Sequence, residues 1–278
     1  MSETKKRIIK PWEELTIVDD YMFKLVMRHP HICKRLIEKI LNIKINRINY
    51  LEDEKTLKFR YAGKGIRLDV YVEADDTIYN IEMQVRDYGD KELAYRTRYY
   101  QSLIDVEALA AGANYSELKK SFVIFLCPFM LFNNNRHMYT FRNVCLQDRN
   151  MELDDGTTKI FLSSEGTMDD VSPDVKAFLD YMKGFQVHDE FINEVDNFIK
   201  EIKENKEERV SYMTYEMKIL EAHNDGKEEG LKEGRKEGQL NKAKDMAIKM
   251  LRRNEPMDKI IEYTGLSEKE IEALSNQQ

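Results

Sequence analysis

The amino-acid sequence predicts an α/β fold that continues into a helical, charged C-terminal extension. Three observations predict it: apolar residues at helical spacing near the start, a switch to a period of two between Arg67 and Val85, and a helical pattern that runs almost unbroken beyond Ser172-Pro173. The 278 residues allow about two domains at roughly 100 to 200 residues each. With 42% hydrophobic and 34% charged residues, the chain has a sizeable core and a heavily charged surface.

Taken in order, Met22, Phe23, Val26, Ile32, Leu36, Ile37, Ile40 and Leu41 recur at helical spacing from Asp19 to Leu41. A break is expected at His29-Pro30, because the residue before proline avoids the helical region, so the spacing predicts two consecutive helices. Arg67 to Val85 alternates and is interrupted only by Asp75-Asp76, the pattern of a hairpin. Gly89 to Ala111 returns to helical spacing and stops at Gly112. Ser121 to Leu126 reads as a buried strand, with shorter ones at Met138 to Val144 and Lys159 to Leu162. Val175 to Met182 and Asp189 to Leu220 are amphipathic helical stretches.

The tail is punctuated differently. Gly226, Gly230, Gly234 and Gly238 recur every four residues in a segment that carries four positive and four negative side chains from Lys227 to Glu237. A step of four drifts only about 40° around a helix, so the glycines trace one smooth strip. Either another helix approaches it closely, or the segment is a charged linker held by i,i+4 pairs and weakened by glycine. Pro256 suits a first helical turn, Gly265 a stop, and Ser267 to Glu270 a capping box. These last two helices resemble a helix-turn-helix, but seven basic and seven acidic side chains over 242–278 leave a docking or oligomerisation tail as an equal reading.

Composition excludes several classes. The longest nearly unbroken apolar run, Phe122 to Phe132, contains Pro128 and falls short of the roughly 20 residues a membrane span needs. The basic start, Met1 to Trp12, leads into no apolar segment, so no secretory signal is expected. Cys33, Cys127 and Cys145 are odd in number and outside any C-x-x-C, which argues against a disulfide framework or a thiolate zinc site and for a reducing cytoplasm. The net charge of -7 is unevenly shared, +4 over residues 1–150 and -11 over 151–278. Such asymmetry hints at a polyanion-binding part joined to an acidic one, with chance variation as the alternative.

The chemistry is expected on the hairpin. If Asp75-Asp76 is a two-residue loop, Val70 faces Ile81, Leu68 faces Met83, Val72 faces Tyr79, and Asp69 faces Glu82. That register predicts one buried face and one carboxylate-bearing face with Asp69, Tyr71, Ile78, Asn80, Glu82 and Gln84. Like charges opposed across a sheet need compensation. A hard divalent cation such as Mg²⁺ would supply it; so would Arg67 or another basic neighbour on a solvated face. No zinc-protease, phosphate-loop or nucleophile-elbow motif is present, and His29 and His31 stand two apart, wrong for one helix face.

An Asp on one strand followed after a turn by Glu-x-Gln on the next resembles the PD-(D/E)XK nuclease superfamily. The chain is most similar to its bacterial Rpn-like branch of recombination-promoting nucleases and transposases. The matching pieces are Asp19-Asp20-Tyr21-Met22-Phe23-Lys24, Arg67-Leu-Asp69-Val70, Ile81-Glu82-Met-Gln84, Arg96-Thr-Arg98-Tyr99-Tyr100-Gln101, Gly112-x-x-Tyr115, Phe122-Val-Ile-Phe, Gly156-Thr-Thr-x-Ile160-Phe161-Leu162 and the Lys/Glu/Gly tail. The resemblance implies a restriction-endonuclease-like core, a central mixed sheet flanked by helices, over 1–190, then a charged helical linker over 191–240 and a small helical tail over 241–278. It also implies a cytoplasmic DNA endonuclease acting in recombination, mobile-element biology or defence, with Mg²⁺, or Mn²⁺ in its place, as cofactor. Position by position, Asp69 and Glu82 would be the metal ligands, and Asp20 the acid from the first helix, with Glu14 as an alternative. Gln84 stands where the superfamily usually has lysine; it can orient a water but brings no charge, which leaves Lys24 or Arg96 to supply the cation. Lys24, Arg96 and Arg98 would contact DNA, although Arg96 and Arg98 point roughly 200° apart on a helix, so at most one faces a given phosphate. A homo-oligomer formed through the C-terminal helices belongs to the same set of expectations, and so does its rival, a degenerate nuclease fold that binds DNA or protein without cutting.

Overall fold

The computed structural model describes residues 10–57 and 65–275, so most of the basic start lies outside the described residues. The chain divides into two compact units, Lys10–Tyr212 and one whose described part is 213–275. In the first, a 3-10 turn at Trp12–Glu14 precedes α1 (Asp20–Met27) and α2 (Pro30–Leu41). These helices separate at the expected place: Pro30 opens α2, where its missing N–H is no loss, and His29 before it is extended. Asn42 ends α2 in the left-handed conformation.

Strands β1 (Ile48–Leu57), β2 (Ile66–Ala74) and β3 (Thr77–Met83) form an antiparallel meander. Helix α3 (Asp90–Ala108) then crosses to β4 (Lys120–Cys127), which runs parallel to β3. With β5 (Met138–Phe141) and β6 (Thr157–Ser163) they build a mixed six-stranded sheet in the order β1-β2-β3-β4-β6-β5. Helices α4 (Pro173–Met182) and α5 (Glu190–Glu204) follow; α5 packs on α1 and α4, and α1 packs on β1 and β2. This is a restriction-endonuclease-like α/β architecture.

Two elements depart from the sequence pattern. Strand β1 was not legible, because Glu52, Asp53 and Glu54 interrupt its alternation; its pairing with β2 makes it a strand. The helical stretch expected from Asp189 to Leu220 is broken at Asn205, which is extended and whose Oδ1 accepts the Glu207 N–H at 2.9 Å and the Glu208 N–H at 3.3 Å. It is thus the N-cap of a new helix, α6 (Lys206–Leu251). In the second unit the end of α6, α7 (Met257–Thr264) and α8 (Glu268–Ser275) close around Ala247, Ile260, Leu266 and Ile271. Gly265 stops α7 in the left-handed region, and Glu270 accepts the Ser267 N–H at 2.8 Å, half of the expected capping box.

The hairpin register is the one a two-residue loop requires. Asp75 and Asp76 have φ of 47° and 60°, as in a type I′ turn, and the rungs run from Ala74–Thr77 to Val70–Ile81. There the ladder stops, so neither the expected Asp69–Glu82 rung nor the Leu68–Met83 rung forms. Strand β2 stays paired to β1 as far as Ile66–Leu57, and β3 to β4 as far as Met83–Leu126. The hairpin therefore opens into a fork.

The alternative of a solvated carboxylate-bearing face is overturned, because both faces of the hairpin are covered. Tyr71, Ile78, Asn80, Glu82 and Gln84 are buried, as are Val70, Val72, Tyr79, Ile81 and Met83. Helix α3 is the reason: its Leu93, Tyr100, Leu103 and Ile104 join Tyr71, Val123, Phe125 and Phe161 in one core.

Candidate active site

The fork sets the positions of the two hairpin carboxylates. Where the strands part, each backbone N–H loses its ladder partner and would be an unpaired buried donor. The side chains replace the ladder: the Asp69 N–H donates to Glu82 Oε1 at 3.0 Å, and the Met83 N–H donates to Asp69 Oδ2 at 3.1 Å. Each carboxylate thus locks the opposite strand. Glu82 is 3% exposed. Burial, and then the Asp69 charge, pushes it well above the usual carboxylate range. Burial and the nearby Asp20 raise Asp69 to about 6, against the pull of Lys24.

Helix α1 brings the other half. Asp20 and Lys24 stand four residues apart on it and pair at 2.7 Å. Lys24, only 5% exposed, also reaches Asp69 Oδ1 at 3.2 Å and Glu54 Oε1 at 3.3 Å. Burial works against its charge, but Asp69, Asp20 and Glu54 together hold it protonated, above its ordinary value. Lys24, not Arg67, is therefore the basic neighbour that offsets Asp69; Arg67 lies 3.5 Å from Glu54 on the surface.

Glu54 is the member that sequence reasoning missed. It sits on β1 between the Asp53–Val70 and Lys55–Leu68 rungs, level with Asp69. Its φ of 58° is a conformation that non-glycine residues rarely adopt inside a strand, and such backbone clusters at functional sites. The sequence held one hint, an acidic run, Glu52-Asp53-Glu54, ahead of the hairpin.

On the α3 side Gln84 is buried, accepts from Arg96 and donates to the Arg86 carbonyl. Arg96 also donates to the Tyr100 hydroxyl at 2.8 Å and lies 5.6 Å from the Phe125 ring. Its guanidinium is thus fixed close behind Glu82 instead of free at the surface. Arg98 is exposed and stacks on Tyr95 at 5.4 Å, away from this group. Tyr100 packs into the core, while Tyr99 is exposed. Glu14 is exposed in the 3-10 turn.

The structure thus gathers Asp20, Lys24, Glu54, Asp69 and Glu82, with Gln84 and Arg96 as a second tier. Among the described residues no group of three or more His, Cys, Asp and Glu side chains is arranged to hold a metal ion. Three carboxylates converge instead on the Lys24 ammonium. The donor set is all hard oxygen, the chemistry that a divalent ion of the Mg²⁺ class takes, but it is arranged around Lys24. A cavity of about 520 Å³ lined by Leu15, Tyr181, Phe185, His188, Asp196 and Lys203 includes none of these residues. No described helix is long and apolar enough to cross a membrane. A family model described as PD-(D/E)XK nuclease family transposase matches residues 17–167, more than half of the chain, and no curated protein matches it.

Proposed function

Because the chain belongs to the PD-(D/E)XK nuclease family transposases, which supports a nuclease- or transposase-like function with DNA as substrate, we propose that it is a Mg²⁺-dependent DNA endonuclease of the recombination-promoting type. The observation that carries the reading is the fork, where two buried carboxylates are held by each other's strand beside a cluster already organised around a positive charge. Beyond locking the two strands, Asp69 and Glu82 are held together with raised proton affinity beside Asp20 and Lys24, the kind of grouping that clusters at functional sites.

PD-(D/E)XK nucleases generally use divalent metals. Asp69 and Glu82 would hold the ion, with Asp20 completing its shell. When bound it would neutralise charge developing on the phosphoryl oxygens and acidify a water. The chain's own residues do the rest. Gln84, clamped by Arg96 and the Arg86 carbonyl, orients the attacking water. Lys24 supplies the positive charge that Gln84 lacks. Arg96 steadies Glu82 and Gln84, and Arg98 meets the DNA backbone from the exposed side of α3.

The test is cleavage of supercoiled plasmid with Mg²⁺, with Mn²⁺, with EDTA, and by Glu82→Ala. Nicking or linearisation that needs both metal and Glu82 is the expected result; equal digestion by Glu82→Ala would remove the activity from this site. One observation favours a second reading, a fold that binds without cutting: the Lys24 ammonium already sits among the carboxylates. DNA binding in metal-free buffer, unchanged by Asp69→Ala and without cleavage in any metal, would select it.

A further inference from the structure

From 221 to 242 every residue of α6 is exposed. A side-chain carbon added at Gly226, Gly230, Gly234 or Gly238 would meet nothing within 4 Å. Glycine weakens a helix relative to alanine, and no contact among the described residues calls for it there.

The charges give an independent observation. Lys227, Glu228 and Glu229 precede Gly230, while Arg235, Lys236 and Glu237 follow Gly234. Read backwards from Glu237, the segment carries the opposite charge at each of these positions: Lys227 against Glu237, Glu228 against Lys236, Glu229 against Arg235. A two-fold axis across the helix at the level of Lys232 turns this antisymmetry into complementarity, since residue i of one copy then meets residue j of the other and j meets i. The glycines select the face that meets the second copy, the one opposite Lys232; of the three pairs only Lys227 and Glu237 share it, while Glu228, Glu229, Arg235 and Lys236 lie on the other side of the helix. At roughly 100° per residue, Gly230 and Gly234 lie about 20° to either side of the centre of that face, and Lys227 and Glu237 about 40° to either side. Lys232 points away, and pairs with Glu228 of its own helix at 2.8 Å. Among the described residues no ion pair within the chain engages Lys227 or Glu237.

We propose that this face of α6 docks a second copy of the chain, antiparallel, with Gly230 of each copy against Gly234 of the other and each Lys227 beside the opposing Glu237. The glycines allow the backbones to come close, and the two charge pairs at the same axial level fix direction and register. The inference stands on α6 alone and does not rest on the nuclease reading.

The test is sedimentation of the full-length chain and of two charge reversals, Lys227→Glu and Glu237→Lys, with circular dichroism to follow helix content. The wild type is expected to be a dimer and each variant at least tenfold weaker in self-association. An equimolar mixture of the two variants should recover dimers of wild-type strength, because every contact in the mixed pair is again opposite in sign. Net charge alone predicts something else: it moves from -7 to -9 in Lys227→Glu and to -5 in Glu237→Lys, so repulsion between whole chains would weaken one variant and strengthen the other. Helix content gives a second safeguard, since Glu237→Lys replaces a like-charge i,i+4 pair with Glu233 by an attractive one and should leave the helix intact. A monomeric wild type, variants that self-associate like the wild type, or a mixture that fails to recover would each overturn the proposal.

Discussion

The two ends of the β2–β3 hairpin treat their carboxylates in opposite ways. Near the turn, burial would raise Glu73, but the Lys119 ammonium at 2.6 Å and the Tyr71 hydroxyl at 2.8 Å hold it below the ordinary range. At the fork, burial and neighbouring acids raise Asp69 to about 6 and Glu82 well above its usual value. Both ends share the same strands and sheet. They differ in how many acids share a cation: Glu73 has Lys119 to itself, whereas Asp20, Glu54 and Asp69 share Lys24. The turn end pairs its acid with a cation of its own and the fork does not, and crowded charge of that kind marks a candidate functional site.

Four substitutions sharpen or break this contrast. The largest effect is expected at the fork, where Asp69→Ala should lower the plasmid-nicking rate at least ~100-fold, the scale seen when a key stabilising group leaves a reaction centre. Retained activity would show that the crowding serves something else. Lys24→Met comes next: it leaves three carboxylates facing one another without their buried cation and should cost about 3 kcal/mol in denaturant unfolding. An unchanged midpoint would mean that the cluster relaxes easily and is not crowded at all. At the turn, Asp76→Gly relieves a φ of 60° and should add roughly 0.5 kcal/mol while leaving nicking untouched. A change in nicking rate would show that the two ends are coupled.

The smallest effect is Lys119→Met, a few tenths of a kcal/mol at neutral pH because the pair is partly solvated. Its sign with pH follows from Glu73: a carboxyl lowered on folding lends stability above its unfolded pKa and loses it as pH falls through the folded value. Wild type and Lys119→Met should therefore converge in acid. Divergence there would contradict the assignment.

How far the sequence could be read follows the same division. The turn and the register from Ala74–Thr77 to Val70–Ile81 come from local alternation and a two-residue loop, visible within nineteen residues, Arg67 to Val85; beyond them Asp69 and Glu82 meet through each other's backbone and not as a rung. The break at Pro30 and the cap at Gly265 are also local, and the structure has both. The fork's partners are not local. Glu54 arrives from a strand whose acidic run hid its period, and Lys24 turns inward only because Asp20, Glu54 and Asp69 wait for it. The cover over Asn80 and Glu82 depends on how α3 lies across the sheet, which alternation does not encode. Asn205 was missed because its capping role needs the backbone already bent.

The seat of α1 has a consequence for synthesis of the chain. Every carboxylate of the fork is in place by Glu82, yet α1 leans on α5, and its Tyr21 meets Tyr212 at a ring distance of 5.0 Å, with the Tyr212 hydroxyl tied to the Lys10 carbonyl at 2.6 Å. A growing chain on the ribosome holds all the acidic side chains long before the last turn of that clamp has been made. Part of what seats Asp20 and Lys24, α5 and Tyr212, is translated more than a hundred residues after Glu82, so a chain arrested before Glu190 should be impaired in the plasmid assay. On the proposed reading, the order of synthesis leaves the site unfinished until α5 and Tyr212 have been made.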